Sequence, residues 1–263
     1  MANPYDYCGQ VAVVTGASSG IGRAYARELA ERGADLILVA RTEPALKELA
    51  EELGRRHGIT ARVLPADLAV PTAGQTIADT LADWNVRADI LVNNAGFASY
   101  GLFADSQTAR NADMVQVNIA SLVDLTGRLL PGMVDRRRGL IVNIASNTAF
   151  QPLPYFALYA ATKSFVLSFT EALHAETASS GVRVLALCPG ATDTAFFDHA
   201  SGAERGPKQT VDQVIATAFR AVDRGRPSAV SGLVNRIAAA ALPRVLPRRA
   251  VLALAHRTMR PRA

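Results

Sequence analysis

Seven short apolar runs, each trailed by a longer stretch, leave this chain very few ways to fold. The runs occupy residues 11–15, 36–40, 62–65, 90–93, 140–144, 182–187 and 229–231, and Val, Ile, Leu and Ala dominate them. A strand with one wet face alternates apolar and polar residues, whereas strands this continuously apolar are covered on both faces, as in a parallel sheet. The stretches between them read as helices over residues 21–32, 43–57, 73–84, 112–136, 155–179 and 212–223. Strand and helix in alternation predict a single doubly wound α/β domain, with about seven parallel strands and helices on both faces. At 263 residues, 49% of them hydrophobic, the chain has enough apolar material for one well-buried core, and a second domain is not expected. Gly33, Gly58, Gly139 and Gly181 follow helical stretches, where left-handed C-terminal caps are expected.

Ligands of such sheets bind beyond the carboxyl ends of the strands, where the strand order switches. Small or polar residues stand at five of those ends. The first strand runs into Thr15-Gly-Ala-Ser-Ser-Gly-Ile-Gly22, the third into Asp67, the fourth into Asn93-Asn94-Ala95-Gly96, the fifth into Ser146 and the sixth into Pro189-Gly190. Gly16 permits a tight turn, Gly20 lets the backbone approach a pyrophosphate, and Gly22 lets the following helix pack close to the sheet. Ser18, Ser19 and Ile21 complete that turn, and the helix N-terminus faces the phosphates. A glycine turn alone is also the ordinary way from strand to helix; the five ends together carry the reading. Arg23 is a further phosphate candidate, equally well explained as a solvated helix residue. The second strand ends in Ala40-Arg41, where the ribose hydroxyls of NAD would call for an acid. An arginine there pairs with a 2′-phosphate, so NADP(H) is preferred over NAD(H).

Tyr159 and Lys163 share one helix face at i and i+4. A phenol titrates near pH 10, and bringing it to neutrality takes about 4 kcal/mol of differential stabilisation. A cation one turn away can supply it, directly or through the ribose of a bound cofactor. Ser146 is placed to hydrogen-bond a carbonyl oxygen and hold it against the phenol. Asn118, in the long helix before the fifth strand, is placed to orient Lys163 through water. Asn93 reads as structural, its amide tying the fourth strand to a neighbour.

Taken together, TGASSGIG at 15–22, NNAG at 93–96, Asn118, Ser146, Tyr159-Ala-Ala-Thr-Lys163 and Pro189-Gly-Ala-Thr-Asp-Thr194 resemble the short-chain dehydrogenase/reductase family. The resemblance runs over residues 10–231 and implies a Rossmann fold and an NADP-dependent oxidoreductase interconverting a carbonyl and an alcohol. It implies Tyr159 as proton donor or acceptor, Lys163 on the nicotinamide ribose and lowering the tyrosine pKa, Ser146 positioning the carbonyl, and Asn118 completing a proton relay. It places Asp67, with Leu68, at the adenine ring, Asn94, Ala95 and Gly96 along the cofactor, and Pro189, Gly190, Thr192 and Thr194 around the nicotinamide amide. It also implies a homodimer or homotetramer. Substrate choice falls to residues 195–209 and the loops at 97–103 and 150–156, whose aromatic residues make the mouth apolar. Phe97, Phe150 and Phe196, with Ser146, are the expected substrate contacts, for a small apolar ketone, aldehyde or 3-oxoacyl compound or the matching alcohol. The competing readings are a cofactor-binding sensor or scaffold without turnover, against which the retained Tyr159 and Lys163 argue, and a membrane-tethered module.

The net charge of +5 resides in the tail. Residues 232–263 hold seven arginines and no acid, so the remainder is slightly acidic, and no basic aromatic face suggests nucleic-acid binding. Two cysteines and four scattered histidines make neither a disulfide framework nor a metal site, and a reducing, cytoplasmic setting is expected. No apolar leader and no membrane-spanning run is read in the sequence. Residues 232–263 thus form a basic amphipathic C-terminal extension of the domain at 1–231, cut into short helices by Pro243 and Pro247. It is expected to pack on its own fold or a partner subunit, with an anionic membrane surface or acidic acyl carrier as the other takers and a location peripheral to the membrane as the corollary.

Overall fold

The computed structural model describes residues 4–194, 196, 208–237, 239 and 247–260. Its elements run β1 (Val11–Thr15), α1 (Gly20–Glu31), β2 (Asp35–Ala40), α2 (Glu43–His57), β3 (Ala61–Pro65), α3 (Ala73–Asp83), β4 (Ile90–Asn93), α4 (Thr108–Val115), α5 (Ser121–Asp135), β5 (Gly139–Ile144), α6 (Ala157–Glu176), β6 (Val182–Cys188), α7 (Val211–Asp223), β7 (Ser228–Val230) and α8 (Arg248–Met259). The strands form one seven-stranded sheet in the order β3-β2-β1-β4-β5-β6-β7, with parallel pairing at each step.

Because successive side chains leave a strand on opposite faces, the apolar runs feed two separate cores. Val14, Leu38, Val92 and Val142 meet Tyr25 and Leu29 of α1, Leu49 of α2 and Phe219 of α7 on one face. Val13, Ile37, Leu91 and Ile141 meet Ile77 of α3, Leu125 of α5 and Leu173 of α6 on the other. Each such side chain taken fully out of water contributes roughly 1.5–3 kcal/mol, which is why the strands tolerate no polar alternation. Asn93 and Asn143 are buried exceptions that satisfy each other: the Asn93 amide donates to Asn143 Oδ1 at 2.9 Å and to Thr126 Oγ1 at 3.1 Å, tying β4 to β5 and α5.

Three local expectations are corrected. The stretch at 112–136 is not one helix: α4 begins at Thr108, and a π-helical turn over Gln116–Ala120 separates it from α5. The wider turn leaves Asn118 buried, hydrogen-bonded towards the β4 end rather than on an outer face. The helix expected from 155 starts at Ala157, because Tyr155 holds a φ of +66° that no helix accommodates. Gly33, Gly58 and Gly181 are left-handed as expected, but Gly139 is not: Arg137 takes that conformation, and Gly139 opens β5. A Cβ on Gly139 would lie 2.7 Å from Met133 Cβ, so this glycine provides clearance.

At the switch between β1 and β4 the two strand ends are clasped together. Thr15 Oγ1 accepts from the backbone N–H of Asn94 and Ala95 at 2.9 and 3.1 Å, and the Asn94 amide donates back to the Thr15 carbonyl at 3.0 Å. Gly22 packs beneath this clasp; a Cβ there would collide with the Gly16 carbonyl oxygen and the Asn94 amide. Both are fixed by other bonds, so Gly22→Ala should destabilise the fold by about 1–3 kcal/mol. Urea unfolding would register this as a lowered midpoint at unchanged slope, and an unchanged midpoint would mean that the turn relaxes freely.

Candidate active site

A single cleft of about 1140 Å³ opens at the carboxyl ends of the strands, above the volumes usual for one drug-sized ligand. Its walls place the sequence-singled residues in two halves. Gly16, Ser18, Ser19, Gly20 and Ile21 border the first half, with Arg41 exposed at the end of β2 and Asp67 and Leu68 beyond β3. Asn94, Ala95 and Gly96 form its floor, and Pro189, Gly190, Thr192 and Thr194 arrive from β6. Gly22 lies beneath the turn, outside the wall.

The glycine turn is shaped for a ligand to approach its backbone. Gly16 and Gly20 both have positive φ, and a Cβ on Gly20 would sit 3.3 Å from Thr194 Cγ2, so the β6 loop comes close over the turn. At the N-terminus of α1, Ser19 makes no side-chain cap and the first turn carries no acid. Its dipole and first N–H groups are therefore left for an anion. This cradle fits a dinucleotide pyrophosphate. Arg23 does not join it: its guanidinium pairs with Glu48 at 3.0 Å and Glu52 at 3.6 Å on α2.

The second half holds Ser146, Tyr159 and Lys163, all buried. Ser146 lies just past β5 and accepts from the Thr148 backbone N–H at 3.1 Å. Lys163 reaches back from α6 to donate to the Ile144 carbonyl at 2.7 Å, so the same strand end anchors both. Burial pushes the Lys163 ammonium down to about 8, against a smaller opposing pull from Cys188. Burial likewise pushes the Tyr159 phenol up to about 12, and the hydrogen bond with Ser146 pulls weakly the other way. The ammonium is 5.8 Å from the Tyr159 ring centre and is turned to Ile144. Direct lowering of the phenol by Lys163 is therefore not part of this arrangement.

Asn118 stands behind the cleft wall. Its amide donates to the Phe97 carbonyl at 3.0 Å and to Thr162 Oγ1 at 3.1 Å, and its oxygen accepts from the Phe97 N–H at 3.1 Å. A Cβ on Gly96 would be 3.0 Å from Asn118 Oδ1 and 3.5 Å from Lys163 Nζ, so Gly96 leaves open the gap between them.

Phe97 and Phe196 line the cleft, as does Phe156. Phe150 does not: it packs beside Leu122, Val166, Leu167 and Cys188, because the short 3-10 turn at Asn147–Phe150 directs it into the protein. Phe197 and most of the 195–209 segment lie outside the described residues. Further contributors to the wall carry no mark in the sequence. Leu233, Val234 and Asn235 border the cleft after β7, and Met259 borders it from the end of α8. Tyr100 Oη donates to the Met259 carbonyl at 2.6 Å, and Met259 packs in one cluster with Phe97, Phe156, Tyr159 and Phe196. No local motif marks these positions, since only the long return of the chain brings them to the site.

The model of the short chain dehydrogenase family matches residues 10–205. The chain belongs to that family. Among its relatives, the 17-beta-hydroxysteroid dehydrogenase type 3 of Mus musculus is 37% identical over 191 residues, covering 71% of this chain and 61% of the mouse enzyme. The chain thus matches less than two thirds of that relative's length. Of solved family structures, the short-chain dehydrogenase from Sphingobium yanoikuyae in complex with NADPH superposes with a TM-score of 0.79 at 32% identity, covering 93% of this chain and 92% of that one. The 3-ketoacyl-(acyl-carrier-protein) reductase from Brucella melitensis complexed with NADH gives 0.75 at 27% identity, covering 86% and 97%. The seven-stranded parallel architecture is accordingly that of the short-chain dehydrogenases.

The depressed Lys163 has a thermodynamic signature. Between pH 8 and 10.5 the folded protein has shed a proton that the unfolded chain keeps, so wild-type stability rises with pH through that window. Below pH 8 both states are protonated and the burial penalty is felt in full. The difference in unfolding free energy between wild type and Lys163→Met should therefore move towards the wild type by roughly 2–3 kcal/mol from pH 7.5 to 10. Denaturant titrations at several pH values measure it; a pH-independent difference would mean that the ammonium remains solvated.

Proposed function

We propose that the protein is an NADP(H)-preferring oxidoreductase interconverting a carbonyl and an alcohol on an apolar substrate, with Tyr159 as general acid and base. The observation that carries this reading is the placement of a buried Tyr159 phenol beside Ser146 in the aromatic half of the cleft whose other half is the glycine cradle. A bound nicotinamide supplies the hydride. The residues supply binding, orientation and the proton.

Backbone N–H groups at the start of α1 would hold the pyrophosphate, and Arg41, at the end of β2 where an acid for the ribose hydroxyls of NAD would stand, would take the 2′-phosphate. Phe97, Phe156, Phe196 and Met259 exclude water and receive the apolar body of a ketone, aldehyde or 3-oxoacyl compound. Ser146 donates to the carbonyl oxygen. The phenol, held protonated across neutral pH by burial, gives its proton to the same oxygen as negative charge develops there. Lys163, still mostly cationic at pH 7, would hold the nicotinamide ribose and act on the remaining phenolate through it rather than by direct contact; Asn118 fixes the loop at Phe97 and the helix turn behind Lys163. The mixed cofactors of the related structures, NADPH in one and NADH in another, leave the preference to Arg41.

Tyr159→Phe removes one hydroxyl and should keep fold and cofactor affinity while lowering turnover by about 10²–10⁴. Reduction rates across ketones, aldehydes and acyl thioesters measure this, and near-wild-type turnover on a verified substrate would remove Tyr159 from the mechanism. Arg41→Asp should weaken NADPH by about 1.5–3 kcal/mol, the range of a charged hydrogen bond, and spare NADH. Cofactor titrations followed by fluorescence compare the two; equal losses would end the argument for a 2′-phosphate partner.

A further inference from the structure

Large apolar side chains stand exposed on this protein in an uneven way. Seven of the ten among the described residues come from three segments: Leu102 and Phe103 before α4, Leu233, Val234 and Ile237 in the helical turn at 233–237, and Leu252 and Leu254 on α8. Phe103 is 63% exposed and Val234 78%. These three segments frame one opening. Phe97 borders the cleft at the root of the first, Leu233 and Val234 border it from the second, and Met259 from the third. The Tyr100 bond to the Met259 carbonyl joins the first to the third, and Tyr155, whose carbonyl accepts from Gly101 N–H at 2.9 Å, meets His256 of α8 at 3.3 Å.

The second and third of these segments also carry basic charge, while the first carries the exposed Asp105. Arg236, Arg248, Arg249 and Arg257 are exposed, and among the described residues none has an acidic partner. Helix α8 docks on the fold through Val251 and Ala255, and its 100° per residue places Leu252 and Leu254 on either side of that buried stripe. Helix α8 thus packs on the fold through this stripe, and its flanks stay apolar and basic.

We propose that this rim seats on an anionic lipid bilayer, with the cleft opening onto the membrane surface. Aliphatic and aromatic side chains interspersed with arginines suit the boundary between headgroups and acyl chains, where each satisfies a different layer. A second copy of the chain fits less well: a two-fold contact through this face would gather the arginines of both copies into one interface, with Asp105 the acid that these segments offer to pair them. A nucleic acid would engage the arginines and leave the Leu, Ile and Phe side chains exposed to water. Among the described residues no helix is long and apolar enough to cross a membrane, and the contact proposed is a seating of this rim on the bilayer surface. The proposal concerns binding alone and holds whatever reaction the cleft performs.

Co-sedimentation of the full chain with phosphatidylglycerol vesicles, at about 50 mM salt where screening is weak, is the test. Binding is expected there, with little to phosphatidylcholine vesicles and a steep loss at high salt. Arg249→Gln with Arg257→Gln should lower partitioning about 25-fold, at roughly fivefold per arginine near an anionic surface. Phe103→Ser with Ile237→Ser and Leu254→Ser, three exposed positions outside the cleft wall, should lower it at least about tenfold through lost apolar burial. Thermal melts of each variant separate lost binding from lost fold, and the lipid and salt contrasts on the wild type stand even where a variant misfolds. The proposal is overturned if the wild type ignores phosphatidylglycerol at low salt. It is also overturned if the serine variant binds undiminished while soluble polyglutamate displaces the protein, which would mark the rim as a patch for an acidic protein. Conversion of an oligomer to monomers by the serine substitutions, with no vesicle binding by the wild type, would mark it as a subunit interface.

Discussion

The clasp between Thr15 and Asn94 holds the rest in place. A doubly wound sheet must part where its chain reverses direction, and here β1 and β4 part above a threonine hydroxyl that accepts two backbone N–H groups and an asparagine amide that donates back. Thr15 is buried and the bonds partly so, and together they hold the strand ends at one separation. With that separation set, the glycine turn has a floor, α1 has an angle, and the residues after β4 run on to meet Asn118. Positions far apart in sequence are referred to one fixed point.

From that point outward, the site is a balance between burial and charge. Lys163 and Tyr159 are both pushed towards their neutral forms by the same desolvation, and a single carbonyl, that of Ile144, fixes where the ammonium rests. The buried amides behind the cleft have partners: Asn93 with Thr126 and Asn143, Asn143 in turn with Thr170 at 2.9 Å. That network links β4, β5, α5 and α6, the elements that carry the second half of the cleft. Rigidity behind the wall and solvent exclusion in front of it thus come from neighbouring parts of one core.

Much of this was legible in the sequence, for reasons that can be named. Strands buried on both faces announce themselves by composition, and the glycine turn, NNAG, Ser146 and the Tyr159–Lys163 pair are local patterns whose spacing reports their geometry. What was misread depended on context. The π-helical turn at Gln116–Ala120 leaves no mark in apolar periodicity, since one inserted residue shifts the phase without breaking it. Gly139 and Arg137 exchanged roles because a side chain on the facing helix, Met133, decides which of them must be bare. Phe150 was assigned to the cleft from its place in a loop, but the direction of a side chain after a strand end is set by the turn it enters. Met259 and Leu233 were invisible as cleft residues because nothing nearby in sequence predicts what a C-terminal helix will lie upon.

That helix has a consequence for how the protein comes into being. The Tyr100–Met259 bond joins residues 159 positions apart, the longest-range side-chain tie around the chamber. Closing so long a loop is entropically slow, and it requires the chain to have been made through Met259. The half of the cleft with the glycine cradle draws mainly on earlier residues, while the apolar half receives its last wall only when α8 is made. Most residues of the nucleotide half are thus synthesised before those that complete the chamber, and removal of α8 takes a wall from the second while leaving the residues of the first.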